Sequence, residues 1–149
     1  MQMISVGAAA GNISGTIEVR NKSRHDCDLY GYAGLQLLDA HGRPLPTKVL
    51  WSTGSFFLVG SAVEAVVGLP AATPPIRPDR PVPGHAYIPI SWNDAQGPCS
   101  EAVQLRVTPP DAYLSMVISA TPAGRTPGLM TVCSGGSVLV NPTRAAVAT

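Results

Sequence analysis

Charge is what this sequence has least of. Asp, Glu, Lys and Arg make up 13% of its 149 residues, about half the usual share of a soluble domain. Ten basic residues against nine acidic ones leave a formal net charge of +1. The densest basic cluster is Arg20, Lys22 and Arg24, and Asp26 and Asp28 follow it at once. Nucleic-acid binding draws its affinity from many phosphate contacts, so no nucleic-acid partner is expected. Long apolar runs are missing too. Phe56 to Leu69 is broken by Gly60, Ser61, Glu64 and Gly68, so no stretch approaches the ~20 residues of a transmembrane helix. Met1 to Gly15 lacks both the charged leader and the compact apolar core of a signal peptide. Either the protein is cytosolic or its numbering starts after a removed leader, which could have carried a lipid anchor.

Catalytic and metal motifs are equally scarce. A nucleophilic serine usually sits in Gly-x-Ser-x-Gly. The nearest string, Gly11-Asn12-Ile13-Ser14-Gly15, has its serine one place late. Three histidines, His25, His41 and His85, fall in expected loops or strand edges, and their spacing ties none of them to a carboxylate or to Cys27. His25-Asp26-Cys27-Asp28 puts four potential ligands in a row, but neighbours on an extended strand point to opposite faces. No Cys-x-x-Cys pair and no zinc spacing is present. No catalytic residue, cofactor or metal ligand is therefore assigned.

What is present is apolar content, 45%, with 15 glycines and 15 prolines. Glycine frees φ, whereas proline fixes φ and removes a donor. That mixture suits short strands joined by turns. Alternation of period two marks Met3 to Ala9 and Gly15 to Asn21, the latter with Ile17 and Val19 on one face and Thr16, Glu18 and Arg20 on the other. Leu35 to Asp39 follows, with Ala40-His41-Gly42-Arg43 as its turn and Lys48 to Ser52 returning. Phe56 to Val67 fits strands or a short helix. Leu69 to Gly84 holds six prolines and is expected as an extended surface loop.

In His85 to Trp92 the residues Ala86, Ile88, Ile90 and Trp92 share one face, and Pro89 inside the run argues for an edge strand. Val103, Leu105 and Val107 make the cleanest strand. Leu114, Met116 and Ile118 make the next, and Ser137 to Val140 the last. The fold class is all-β: one antiparallel two-layer, immunoglobulin-like β-sandwich of seven to eight strands over 1–142, with a closed β-barrel as the alternative. Residues 143–149 are expected as a loose tail.

The three cysteines are Cys27, Cys99 and Cys133. Their spacing leaves open a Cys99–Cys133 bridge or three buried free thiols. Motif order adds to this. Ile17-Glu18-Val19-Arg20-Asn21-Lys22-Ser23 leads to Cys27-Asp28-Leu29-Tyr30-Gly31-Tyr32, Leu35-Gln36-Leu37-Leu38-Asp39 and Gly42. Later come Pro83-Gly84-His85-Ala86, Ser91-Trp92, Gly97-Pro98-Cys99, Leu105-Arg106-Val107-Thr108-Pro109-Pro110 and Cys133-Ser134-Gly135-Gly136. Taken in this order, from about Gly11 to Pro142, the chain resembles an actinobacterial family of secreted proteins and lipoproteins, the domain of unknown function numbered four-two-three-two. The resemblance implies an extracytoplasmic, disulfide-bonded β-sandwich without an assigned activity, and it favours the Cys99–Cys133 bridge. The chain departs from the family at Ala33, where proline is usual, and in having no cysteine before Cys27.

Aromatic residues supply the remaining candidates. Trp51, Phe56 and Phe57 flank an expected turn. Exposed, they would form an apolar patch able to receive a partner; otherwise Trp51 and one Phe are core. Trp92 is expected in the core, and Tyr30 and Tyr32 packed along a strand with their hydroxyls at the rim. The functional expectation is a non-catalytic extracytoplasmic module, secreted or held at the cell envelope. It would bind a protein partner or an envelope component through loops at one end, with Trp51, Phe56, Phe57, Pro74 and Pro75 as the candidate patch. A secreted hydrolase or its accessory module, with a polar site built from loops, is the alternative. An oligomerising coat-like domain is a third reading.

Overall fold

A computed structural model describes residues 1–52, 67–69, 84–126 and 128–145. Among these residues every regular element is a strand. Eight strands coincide with the alternating segments: β1 Gln2–Ala9, β2 Asn12–Arg20, β4 Gly34–Leu38, β5 Lys48–Trp51, β7 His85–Asn93, β9 Gln104–Thr108, β10 Met116–Ser119 and β12 Ser137–Val140. Four more exceed the expected count: β3 Cys27–Leu29, β6 Val67–Leu69, β8 Ser100–Ala102 and β11 Met130–Val132. Each of these has three residues, too few to display an alternation.

The strands form a five-stranded sheet in the order β1-β2-β7-β12-β5, a three-stranded sheet β10-β9-β4, and the two-stranded ribbons β11-β8 and β3-β6. Every pairing is antiparallel except that of β12 with β5. Neither larger sheet closes on itself, so the barrel alternative falls and the sandwich stands. The two layers share one core. Ile17, Ile88, Ile90 and Val138 enter it from the larger sheet and Leu37, Leu105 and Val107 from the smaller, all essentially without solvent contact. That is the opposed-layer packing which hides the apolar face of each sheet.

Three expectations are corrected here. Pro89 does not mark an edge, because β7 lies in the middle of its sheet between β2 and β12. The carbonyl of Pro89 accepts from Asn141 N at 2.9 Å, just past the end of β12. A residue's N–H and C=O point to the same side in an antiparallel ladder. The missing donor therefore faces Asn141, just past the end of β12, so the gap falls at the end of that ladder rather than within it.

Leu114 and Met116 are exposed although alternation places them inward; only Ile118 of that set is buried. The strand starts at Met116 rather than Leu114 and forms the rim of the smaller sheet. Thr143 and Arg144 do not begin a loose tail. Thr143 is buried, and Arg144 exchanges both backbone hydrogen bonds with Tyr87 at 2.8 Å.

One end of the sandwich is stapled. Cys99 and Cys133 form a disulfide. Around it Cys133 N donates to Asn93 O at 2.8 Å, Ser134 N to Gln96 O at 2.6 Å and Gly135 N to Pro98 O at 2.9 Å. The loop after β7 is thereby tied to the turn before β12. Gly136 is required at this turn: its φ is +79°, and a Cβ there would lie 2.0 Å from Pro46 O.

Candidate functional site

The stapled end also carries a cleft, a cavity of about 390 Å³. Such a volume falls within the usual range of small-ligand sites. Its walls come from segments distant in sequence. It is lined by Val6 of β1, Ile13 of β2, Trp92 and Asp94 around the end of β7, and residues on either side of Arg125 that follow β10. The two layers part here because the β1–β2 hairpin runs beyond the smaller sheet, whose strand β10 ends at Ser119. Apolar contacts come from Val6, Ile13, Leu129 and Met130, and polar groups from Asp94, Arg125 and three threonines. Leu129 is 60% exposed, a large apolar side chain left at the mouth.

Trp92 is 6% exposed and therefore core, as its alternation requires. Its benzo edge packs beside Gly15, where a Cβ would come within 3.2 Å of the ring. Its Nε1 is buried, yet no described residue accepts a hydrogen bond from it. An unmet buried donor costs about 1–3 kcal/mol.

The expected patch falls elsewhere. Trp51 is 58% exposed and stacks on Tyr32 with ring centroids 5.7 Å apart and an interplanar angle of 23°. Tyr32 Oη donates to Ser52 O, which fixes this pair at the end of β5. Tyr30 and Leu50 are also exposed. Gly31, with φ +95°, turns the chain between the two tyrosines, so they do not share a strand as expected. Phe56, Phe57, Pro74 and Pro75 lie outside the described residues, as does most of the expected proline loop. Neither Val6, Ile13, Asp94, Arg125 nor Leu129 was signalled by the sequence, because nothing local marks the point where two layers separate.

A second polar feature contradicts the reading of the histidines. His85 Nδ1 lies 2.7 Å from Glu18 Oε1, and both side chains are buried. Glu18 had been placed on the solvent face with Thr16 and Arg20. It also accepts from Gln2 Nε2 at 2.8 Å and lies 3.4 Å from Arg20 Nε. The register explains the meeting: Arg20 pairs with His85 and Glu18 with Tyr87, so His85 reaches Glu18 diagonally across two neighbouring strands. Burial, followed by the charge of Glu18, raises the Tyr87 phenol pKa above its ordinary value. Glu18, but not His85, lines a hollow of about 70 Å³.

Cys27 is a free, exposed thiol. Its residual burial and then the carboxylates of Asp28 and Asp26 raise its pKa, which makes it a poor nucleophile at neutral pH. Among the described residues no three of His, Cys, Asp and Glu gather as a metal site. Among the described residues no helix is long and apolar enough to cross a membrane.

Residues 1–55 match the model of the domain of unknown function DUF4232, the family that the motif order resembles. The match covers the Cys27-Asp28-Leu29-Tyr30-Gly31-Tyr32 stretch and the turn at Gly42, while the motifs from Pro83 onward lie beyond it. No curated protein and no solved structure gives a match.

Proposed function

We propose that this is a non-catalytic module, exported to the secreted or cell-envelope compartment of an actinobacterial host, that binds a protein partner or an envelope component through the stapled end of its sandwich. The observation that carries the reading is the cleft itself. It is a preformed, mainly apolar depression with a few convergent polar groups, the usual make-up of a recognition site. The Cys99–Cys133 bridge supports an oxidising compartment, where disulfides persist. Low charge suits a surface that works by shape and apolar contact rather than by electrostatic steering.

A hydrolase reading is kept by one specific observation, the buried Glu18–His85 pair. The two readings part in one experiment. Purified protein is sedimented with an isolated cell-envelope fraction, as wild type and as Leu129→Asp. The module should co-sediment, and the variant, altered only at the cleft mouth, should stay in the supernatant. Equal retention of both proteins would remove the cleft from the function. Turnover of a chromogenic ester or glycoside that disappears in Glu18→Gln would establish the hydrolase instead.

A further inference from the structure

We propose that the outer edge of β1 from Val6 to Ala8 takes up an extended peptide segment of a partner protein as an added strand, with one of its apolar side chains seated in the cleft. This rests on the binding function proposed above and names the partner's chemistry.

The hairpin geometry fixes which backbone groups are free. β1 and β2 are joined by the two-residue turn Ala10–Gly11, with φ +50° and +78°, and the closing pair is Ala9 with Asn12. In a two-residue hairpin the closing pair is hydrogen-bonded, and bonded and non-bonded pairs then alternate along the ladder. Ala9, Gly7 and Ser5 therefore turn their N–H and C=O toward Asn12, Ser14 and Thr16. Ala8 and Val6 turn theirs to the outer edge. β1 is the terminal strand of the five-stranded sheet. Its outer edge is occupied at Met3, whose carbonyl accepts from Ala123 N at 2.8 Å. Past the register irregularity between Met3 and Ser5, no described strand pairs with it.

Native sheets defend such an edge with lysine, proline or a short strand. β1 does none of this. It is eight residues long and carries neither a charge nor a proline. A row of donors and acceptors recurring every second residue, roughly 7 Å apart, is complementary to an extended main chain and to no small molecule.

The cleft adds the second half of the case. Val6 pairs with Gly15, and a Cβ on Gly15 would meet Trp92, Met3 and Ile90. Opposed residues share a face, so Val6 faces the core side, where the core opens into the cleft. A strand laid beside Val6 would turn every second side chain the same way, toward Ile13, Trp92, Leu129 and Met130. Main-chain bonds then give affinity and the cleft gives selectivity for an apolar side chain. Asp94 and Arg125 offer one charge of each sign beside it, which suits a polypeptide segment without net charge better than an anionic lipid surface.

The probe is an end-blocked hexapeptide of alternating leucine and threonine. Binding is read by fluorescence of Trp92 in a Trp51→Phe background. A second peptide has the same sequence with alternate backbone nitrogens methylated. The first should bind saturably below about 1 mM. Backbone methylation and Ala8→Pro, which removes an outward donor and leaves the β1–β2 bonds intact, should each weaken binding about tenfold.

Equal affinity of the two peptides, or unchanged affinity in Ala8→Pro, would overturn strand addition. If Leu129→Asp still abolished envelope binding, the broader function would survive that result. Absence of saturable peptide binding would likewise overturn strand addition. A concentration-dependent dimer abolished by Ala8→Pro would assign the edge to a second copy of this chain. Should Ala8→Pro fail to fold, the methylated peptide decides on otherwise unaltered β1.

Discussion

Removing the Cys99–Cys133 bridge should lower stability without changing the fold, and the size of the effect follows from chain statistics. The two cysteines are 34 positions apart. In the chain-entropy model, opening a loop of that length restores about 13 cal/mol/K to the unfolded ensemble, or about 3.8 kcal/mol at 25 °C. A chain of this size has an unfolding entropy near 0.3 kcal/mol/K, so Tm should fall by about 12 °C. The native side changes little, because the hydrogen bonds from Cys133, Ser134 and Gly135 to Asn93, Gln96 and Pro98 do not involve sulfur.

Alanine is the replacement of choice, since Cys133 is fully buried. The assay is calorimetry and urea unfolding of wild type against the Cys99→Ala/Cys133→Ala double variant. Near-UV circular dichroism should be retained. The urea m-value should rise, because a chain without the cross-link exposes more surface when unfolded. Alkylation of the unreduced wild type should modify Cys27 alone, and all three cysteines should react after reduction and unfolding. A Tm within about 3 °C of wild type, or an unchanged m-value, would refute the entropic account. Lost near-UV signal would show that the bridge shapes the native stapled end instead.

Five shorter expectations accompany it. Gly136→Ala should abolish soluble expression or cost more than ~3 kcal/mol, because a clash with the Pro46 backbone adds to a positive φ. Gly135→Ala, with similar φ but open space around it, should cost only about 1–2 kcal/mol in chemical denaturation. Replacing Glu18 by Ala should destabilise by about 3 kcal/mol, and a double-mutant cycle with His85→Ala should return a coupling above ~1 kcal/mol; additive losses would deny the buried pair. The Asp39 carboxyl is held below its ordinary pKa, first by the Arg43 backbone N–H; desolvation opposes this, and the Arg43 side chain and the His41 N–H add to the lowering. Its contribution to stability should be present above the ordinary carboxylate pKa and lost as pH falls through the lowered one. NMR titration of the Asp39 side-chain carbon checks this, and a midpoint at or above 3.8 counts against it. Trp51→Ala should cost less than ~1 kcal/mol, since its ring is mostly in solvent.

How far the sequence foretold this architecture depends on the length of each segment. Ile17 and Val19, or Ala86, Ile88, Ile90 and Trp92, repeat often enough to announce a face, and all are buried. Met130–Val132 and Ser100–Ala102 are too short to repeat anything. Their pairing is imposed by the tertiary fold. Pro89 misled because a proline's cost depends on what lies opposite its nitrogen, which is a property of β12 and not of β7. Glu18 misled because alternation gives the face of a side chain but not what covers that face. His85, 67 positions away, arrives there only through the β2–β7 register. The cleft was illegible for the same reason: Val6, Arg125 and Leu129 meet because two layers part.

The exposed Trp51–Tyr32 stack and the cleft are two surfaces, and the strand order separates them. β1 and β5 are the opposite edges of the five-stranded sheet, with three strands between. At about 4.8 Å per strand the edges lie roughly 19 Å apart. A hexapeptide added to β1 runs along that edge and cannot cross to Trp51. A partner protein burying about 800 Å² of this surface, as standard complexes do, spans such a distance. Trp51→Ala should therefore leave hexapeptide affinity unchanged, and its effect on retention by the envelope fraction reports the size of the true partner. Loss of retention in both Trp51→Ala and Leu129→Asp would mean one large interface reaching across the sheet. Loss in Leu129→Asp alone would confine recognition to the stapled end. Weakened hexapeptide binding in Trp51→Ala would contradict the separation that the strand order requires.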